Sequence, residues 1–341
     1  MKVCFYGLCG HSFIAFSAHE KLPQVIFAAC CPCFQGEDIR QYHQMARDAG
    51  ASMKEYQNLE DMLNAEKPDI LVVDNRFAEH GSAAGEALKR GINVFVDKPV
   101  TTDGEELMSL YKLAKQNGAL LWAMNTVRYD PWYYTARLLI EQGEIGRVRM
   151  INCRKSYKLN TRPPFYKERR YYGGTIPWVT IHAIDMIRMT AKCDGVSVYS
   201  MQSRAENCGY GDMEMTTASC FQMENDILAT ISTDYCRPST AHSHDDDQLR
   251  VVGTDGIVEV ARRDGDHEVR LLNAGQNGAV PVFQQSPPLI FEDFVHTIEG
   301  HGIGLLDMQE SFKNAYHAIA AQQSADLCRP VSLKNVREMF T

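Results

Sequence analysis

Two groups of residues have the types and spacing for proton chemistry. The first is Asp97-Lys98-Pro99, which closes the run Gly91-Ile92-Asn93-Val94-Phe95-Val96. An apolar run ended by an acid, a lysine and a proline reads as a buried strand leaving a sheet at its carboxyl edge, where open α/β sheets bind ligands. Proline ends the ladder because it has no N–H to donate. A lysine at that edge is placed to offer its ammonium to a substrate oxygen. The second group is Trp178, His182 and Asp185, at i, i+4 and i+7 of a helix predicted over 176–190, and therefore on one face. Histidine and aspartate three apart support a proton relay, one ring nitrogen handling a hydroxyl proton while a partner orients the other. Thr175 is the expected cap of this helix, and Pro177 suits its first turn.

A third motif, Gly7-Leu8-Cys9-Gly10-His11-Ser12, lies between the first predicted strand and the first predicted helix. Glycine lets a backbone turn tightly there and approach a pyrophosphate on the helix N-terminus. The turn departs from the G-x-G-x-x-G pattern at Cys9 and Ser12, both small enough to leave space. Its context predicts dinucleotide binding. An acid usually follows the second strand and holds the ribose. Here that place is Cys30-Cys31-Pro32-Cys33, the next acids are Glu37 and Asp38, and Arg40 is a possible partner for a 2′-phosphate. NAD and NADP both stay open as cofactors.

These residues need a scaffold, and the hydrophobic pattern supplies one. Up to about residue 125, short apolar runs (3–6, 25–30, 53–56, 70–74, 94–96, 120–124) alternate with amphipathic ones (11–21, 38–49, 59–65, 79–90, and a helix starting near Thr102 and Glu105 and ending at Gly118). That is the pattern of βαβ units and a parallel sheet covered on both faces. Thr102 and Glu105 have capping-box spacing. From Val148 the strands lengthen and alternate (148–157, 197–204, 216–223, 227–234, 248–252, 257–261, 269–272), as in a mostly antiparallel sheet with one covered face. Late helices are predicted over 289–299 and 308–328, and 273–288 reads as mobile surface. The expected fold class is α/β: a Rossmann domain with a parallel sheet over 1–124, then an α+β domain with a large open, mostly antiparallel sheet over 125–341, serving substrate binding and oligomerisation.

The 341 residues carry a formal net charge of −8. That balance argues against a nucleic-acid or acidic-membrane surface, which needs a basic patch. No apolar run approaches a membrane span, and the start, Met1 to Gly7, enters a strand too soon for a signal peptide. Eleven scattered cysteines then read as reduced thiols of a cytoplasmic protein. No metal is expected at Cys30-Cys31-Pro32-Cys33, because no second cysteine pair stands at ligand spacing. His242-Ser243-His244-Asp245-Asp246-Asp247 has metal-ligand types, but its spacing matches no named site and it reads as a charged, solvated loop.

In order and spacing the chain resembles the Gfo/Idh/MocA oxidoreductases, the glucose–fructose oxidoreductase and inositol dehydrogenase group. The resemblance rests on Gly7–His11, Pro68-Asp69 with His80 beyond, Gly91 through Pro99, Asn125 through Tyr129, Gly143 through Gly146, Gly173-Gly174 with His182 through Asp185, and Phe291 through Val295. It implies NAD(P)-dependent hydride transfer at a hydroxyl-bearing carbon of a sugar, polyol or cyclitol, in a homodimer or homotetramer assembled through the open sheet. Lys98 and His182 would be catalytic. Gly7, Cys9, Gly10, His11, Ser12, Cys31, His80, Asp97, Lys98, Pro99 and Asn125 would contact the dinucleotide. Asp185, Trp178, Arg128, Tyr129 and Tyr157 would contact substrate, with Lys158, Tyr235 and Arg237 as further candidates. The His-x-Asp-Asp stretch at 244–247 resembles one in a subset of the family, which hints at substrate contact. The sequence departs from the family at Asp97, where glutamate is usual, at Thr180, where glycine is common, and at Trp178, where many members carry an aspartate that assists the histidine. Two other readings stay open: nicotinamide-dependent elimination or glycoside cleavage without net redox change, as some members of the family carry out, and a non-catalytic sugar or dinucleotide sensor, motivated by the imperfect glycine pattern, the missing ribose acid and Trp178.

Overall fold

The computed structural model describes residues 1–263, 266–283 and 287–341, without the Arg263 side chain. The chain divides into two compact units, Met1–Met124 with Pro288–Ala315, and Asn125–Pro287 with Tyr316–Thr341.

The first unit is built on six strands, β1 (Lys2–Tyr6), β2 (Ile26–Cys31), β3 (Lys54–Glu55), β4 (Ile70–Val73), β5 (Asn93–Val96) and β6 (Leu121–Ala123). They pair in parallel in the order β3-β2-β1-β4-β5-β6. This is the doubly wound order, and its direction reverses between β1 and β4, opening the crevice where such sheets take ligands. Strand β4 is buried at every position, and β5 at all but Asn93. Both faces are covered, so their sequences are continuous apolar runs. Ring packing ties the late segment to this sheet: Phe95 lies 5.1 Å from Phe291 and 5.4 Å from Phe294, and Trp122 lies 5.3 Å from Phe294.

Among the described residues nine strands form the second sheet: β7 (Val148–Lys158), β8 (Gly195–Ser203), β9 (Thr216–Met223), β10 (Leu228–Arg237), β11 (Gln248–Gly253), β12 (Gly256–Arg263), β13 (Asp266–Asn273), β14 (Asn277–Val280) and β15 (Val331–Ser332). Their order is β14-β13-β12-β11-β7-β10-β9-β8-β15. Only β7 and β10 pair in parallel among the described residues; the other neighbours are antiparallel. Alternate residues of β9 are buried, the signature of one covered face. The expected fold class is present in both units. Among the described residues no helix is long and apolar enough to cross a membrane.

Several local expectations need correction. The helix Pro131–Glu141 is absent from the sequence reading, although Asp130 caps it by accepting from the Trp132 N–H at 3.0 Å and proline opens it. The segment expected as mobile surface over 273–288 contains β14, paired with β13; its residues 284–286 lie outside the described residues. The predicted helix over 11–21 is two short pieces, Phe13–Ser17 and a 3-10 turn His19–Lys21. Thr102 does not cap the helix Gly104–Asn117; Asp103 does, accepting from the Glu106 N–H at 2.7 Å, because its side chain stands at the N-cap position itself.

Phe294 is fully buried. Its replacement by alanine removes the ring shared by Phe95 and Trp122, and should cost about 3–5 kcal/mol in urea-induced unfolding. A loss under ~1 kcal/mol would contradict the packing of residues 288–315 with the first unit.

Candidate functional site

In the first unit the glycine turn is held by carboxylates. Gly7 has φ +75°, and a Cβ there would stand 2.7 Å from the Asn75 Cα, so both conformation and space require glycine. Its N–H donates to the Cys31 carbonyl at 2.9 Å, and its carbonyl accepts from the buried Tyr42 hydroxyl. At Gly10 a Cβ would collide with the Asp97 carboxylate and approach that of Asp74 to 2.7 Å. The His11 N–H lies 3.2 Å from Asp74 Oδ1 and 3.1 Å from Asp97 Oδ2, and the Ser12 N–H donates to Asp74 Oδ2 at 3.0 Å. His11 Nδ1 also meets Asp97 Oδ2 at 2.9 Å. Both carboxylates are fully buried. Burial and then the charge of Asp97 push Asp74 well above the usual carboxylate range. Burial opposes ionisation of Asp97 as well, but His11 and Lys98 hold it down at about 2.

Further along the carboxyl edge, Lys98 follows β5 and is only 3% exposed. Its N–H donates to Asp97 Oδ1 at 2.8 Å, and the Lys98–Pro99 peptide is cis. His80 is fully buried, its Nδ1 2.7 Å from the Pro99 carbonyl and its Nε2 3.1 Å from that of Asn75. Burial lowers its pKa despite the neighbouring Asp97. His80 thus ties the segment after β4 to the segment after β5.

Sequence reasoning gave no role to two acids here. Asp74 follows β4 as Asp97 follows β5, so the edge logic applied to Asp97 was available for it. Glu37 lies beyond β2, and its place could not be read from spacing. Its Oε1 accepts from the Leu8 N–H at 2.8 Å and its Oε2 from the Cys33 N–H at 2.6 Å. Arg40, the candidate for a 2′-phosphate, is instead engaged at both ends by Asp38, at 2.8 and 2.6 Å. Cys31 is fully buried, and burial pushes its thiol pKa up to about 12.

A dinucleotide suits this edge on two observations. The turn follows β1 at the switch point, where such ligands bind. Asn75, just after β4, has a buried side-chain oxygen without a hydrogen-bond partner among the described residues. One feature differs from the expected anion cradle: the N–H groups of Leu8, Cys9, His11 and Ser12 are all accepted within the protein.

In the second unit, Asn125 precedes a 3-10 turn, Thr126–Tyr129, that carries Arg128 and Tyr129, both buried. Both polar atoms of the Asn125 amide are buried without a partner among the described residues. Arg128 Nε donates to Asp185 Oδ1 at 2.7 Å; the pair is 6% and 0% exposed. Two residues expected to meet substrate therefore meet each other.

The helix predicted over 176–190 is a π-helical turn, Ile176–Thr180, followed by an α-helix, Ile181–Ala191. The Ile181 N–H reaches back five residues to the Ile176 carbonyl. The turn is tied at both ends. The Thr175 N–H donates to Glu214 Oε2 at 3.0 Å and its hydroxyl to the Glu214 carbonyl at 2.7 Å, so Thr175 does not cap the helix. The Thr180 hydroxyl donates to that of Thr233 on β10 at 2.8 Å. His182 and Asp185 lie in the α-helical part and share a face, as read. Trp178 lies in the π turn, where α-helical spacing does not place it, and is buried.

Tyr157 packs on His244 with rings 5.1 Å apart, and Lys155 Nζ stands 5.2 Å from the Tyr157 ring. Lys155, missed by sequence reasoning, is buried in an ion pair with Asp247. Asp245 pairs with Arg262, and Asp246 with Arg154 and Arg237. Lys158 donates to the Ala241 carbonyl. The 242–247 loop is charged and exposed or half-exposed except at Asp247, and its three carboxylates are fastened by cations. Tyr235 is buried beside Tyr172, hydroxyls 3.2 Å apart, and burial raises its pKa to about 12.

Residues 6–124 match the oxidoreductase family with an NAD-binding Rossmann fold, and residues 133–259 match the GFO/IDH/MocA C-terminal domain. A solved structure from Thermotoga maritima, described as an oxidoreductase, is 37% identical, with TM-score 0.92, covering 98% of this chain and 100% of that one. The scyllo-inositol 2-dehydrogenase (NAD(+)) of Bacillus subtilis (strain 168) is 26% identical over 310 residues, 87% of this chain and 86% of that protein. The uncharacterized oxidoreductase YhhX of Escherichia coli (strain K12) is 28% identical over 133 residues, 38% of this chain and 37% of its own length. Both halves of the chain are matched, and it belongs to the Gfo/Idh/MocA oxidoreductase family, its first unit having that family's NAD-binding Rossmann fold.

Proposed function

We propose that this protein is an NAD-dependent dehydrogenase that moves a hydride between nicotinamide and a hydroxyl-bearing carbon of a sugar, polyol or cyclitol. The first unit takes the dinucleotide and the second the substrate. The observation that carries the reading is Lys98, nearly buried at the carboxyl edge of the NAD-binding sheet, just after β5. The likeness to the Bacillus inositol dehydrogenase over most of both chains supports the substrate class.

When bound, NAD supplies the hydride acceptor. The chain's own groups supply proton handling and orientation. Lys98 and His182 handle the hydroxyl proton. Asp185 is a positioning residue, since its carboxylate is committed to Arg128. Trp178 offers an apolar ring in place of the family's aspartate, and Tyr129 and Tyr157 offer hydroxyls to a polyhydroxylated ligand. Gly7, Cys9, Gly10, His11, Ser12, Asn75 and Asn125 line the dinucleotide. Glu37 favours NAD over NADP, because a carboxylate beside the turn repels a 2′-phosphate and Arg40 is held by Asp38. The exposed Met150, Tyr199, Met201 and Leu228 on β7, β8 and β10 suit a second copy packed on the open sheet face.

Lys98→Met should lower kcat by about 10²-fold or more while NAD affinity stays near the wild-type value. The check is nicotinamide absorbance across a polyol and cyclitol panel, with NAD binding measured by calorimetry. A fully active variant, or wild-type product formed with no net change in that absorbance, would sink the reading.

The wild-type protein should bind NAD at least about tenfold more tightly than NADP, and Glu37→Gln should narrow that ratio. Equal affinities in both proteins would remove Glu37 from cofactor choice.

A further inference from the structure

The glycine turn and the segment after β2 bring together two thiols that the proposed proton and hydride steps do not use. Cys9 Sγ lies 3.9 Å from Cys33 Sγ and 3.3 Å from Glu37 Oε1. Ligand atoms of all three residues lie within 4.8 Å of one another, and all three are half-buried, open to an arriving ion. We propose that Cys9, Cys33 and Glu37 form a site for a thiophilic divalent cation of the zinc class, with its fourth position open.

The distances decide between a metal and a disulfide. Zinc holds thiolates at about 2.3 Å and carboxylate oxygens at about 2.0 Å in a tetrahedron, which sets two sulfurs about 3.8 Å apart and a sulfur and an oxygen about 3.5 Å apart. The observed 3.9 and 3.3 Å match that spacing with little movement. A disulfide would need the sulfurs to close to about 2.05 Å. Glu37 is also oriented by the Leu8 and Cys33 N–H groups, at 2.8 and 2.6 Å, the kind of outer bond that fixes a ligating carboxylate. The other clusters compare poorly. The carboxylates of the 242–247 loop are taken by Arg154, Arg237, Arg262 and Lys155, and Cys4, Cys30 and Cys153 are sealed in the cores. Spacing along the chain hides the site, because its ligands come from the turn after β1 and the segment after β2. On binding, two S–H bonds break, two metal–sulfur bonds form and two protons leave to solvent. No electrons change hands, and affinity therefore rises with pH.

The test uses the full chain, reduced and stripped with chelator, and titrated with Co²⁺. One equivalent should develop thiolate-to-cobalt charge-transfer absorption with the intense visible bands of a tetrahedral site, and Zn²⁺ should bleach it. Cys9→Ser and Cys33→Ser should each weaken binding by about tenfold or more and diminish the thiolate band, Glu37→Gln should weaken binding comparably, and Cys208→Ser and Cys328→Ser should change nothing. Circular dichroism checks that each variant is folded. The half-buried His296 and the exposed Glu299 and His301 also lie within ligating distance of one another, but without sulfur they give no charge-transfer band. No band in the wild-type protein, a band that survives the double Cys9/Cys33 variant, or loss of both thiols to a disulfide under the same conditions would overturn the proposal.

Discussion

The first unit depends on one constraint, the meeting of two buried carboxylates at Gly10. Asp74 and Asp97 end neighbouring parallel strands, and both approach the same His11 N–H. Two carboxylates so close in a dry site cannot both ionise cheaply. The pair titrates as a unit, with His11 and Lys98 favouring charge on Asp97 and burial favouring a proton on Asp74. Between them there is room for a hydrogen atom and nothing larger, so glycine is required at position 10 by its neighbours and not by its own φ. The strand ends thereby fix the turn, and the same acid that anchors the turn also sets the position of Lys98.

The second unit solves a related problem differently. It buries Arg128 with Asp185, Lys155 with Asp247 and Arg188 with Asp194. Each pair must recover the desolvation of two ions, so such pairs hold geometry more than they add stability. The π turn before His182 belongs to this scheme. Glu214, fully buried, takes the Thr175 N–H and also pairs with Arg169, while Thr180 is bonded to Thr233. An extra residue accommodated between two anchored ends rotates the Trp178 side of the helix relative to the His182 side.

These two schemes explain what the sequence could disclose. Strand and helix identity in the first unit was legible because βαβ burial is written as continuous apolar runs such as Ile70–Val73. Lys98 and the glycine turn were legible because strand ends are marked by glycine and proline. The helix Pro131–Glu141 escapes a sequence reading although Asp130 and Pro131 mark its start, because a proline there also marks the boundary between the two units. The π turn was not legible, since its anchors are a carboxylate in the segment before β9, Glu214, and a hydroxyl on β10, Thr233. The role of Glu37 and the buried place of Lys155 were not legible for the same reason: both are set by contacts between elements distant in the chain, which periodicity does not record.

The supply of N–H groups at the glycine turn also bears on how a cofactor is held. In the simple picture, a pyrophosphate rests on the free N–H groups at the start of a helix. Here Glu37, Asp74 and Asp97, with the Asp74 carbonyl, take those of Leu8, Cys9, His11 and Ser12. The next helix has five residues, too short for a large end charge. A turn that uses its donors internally is rigid before any ligand arrives, so little ordering remains to be done on binding. It also sets the Glu37 and Asp97 carboxylates beside the turn, against which a phosphate gains less. On the proposed reading, affinity for a dinucleotide then comes more from its neutral parts, and the Asn75 side-chain oxygen, buried without a partner among the described residues, suits such a contact. On the proposed reading the same carboxylates disfavour a cofactor with one more phosphate, and Glu37, held by the Leu8 and Cys33 N–H groups, takes the place of the acid expected directly after β2.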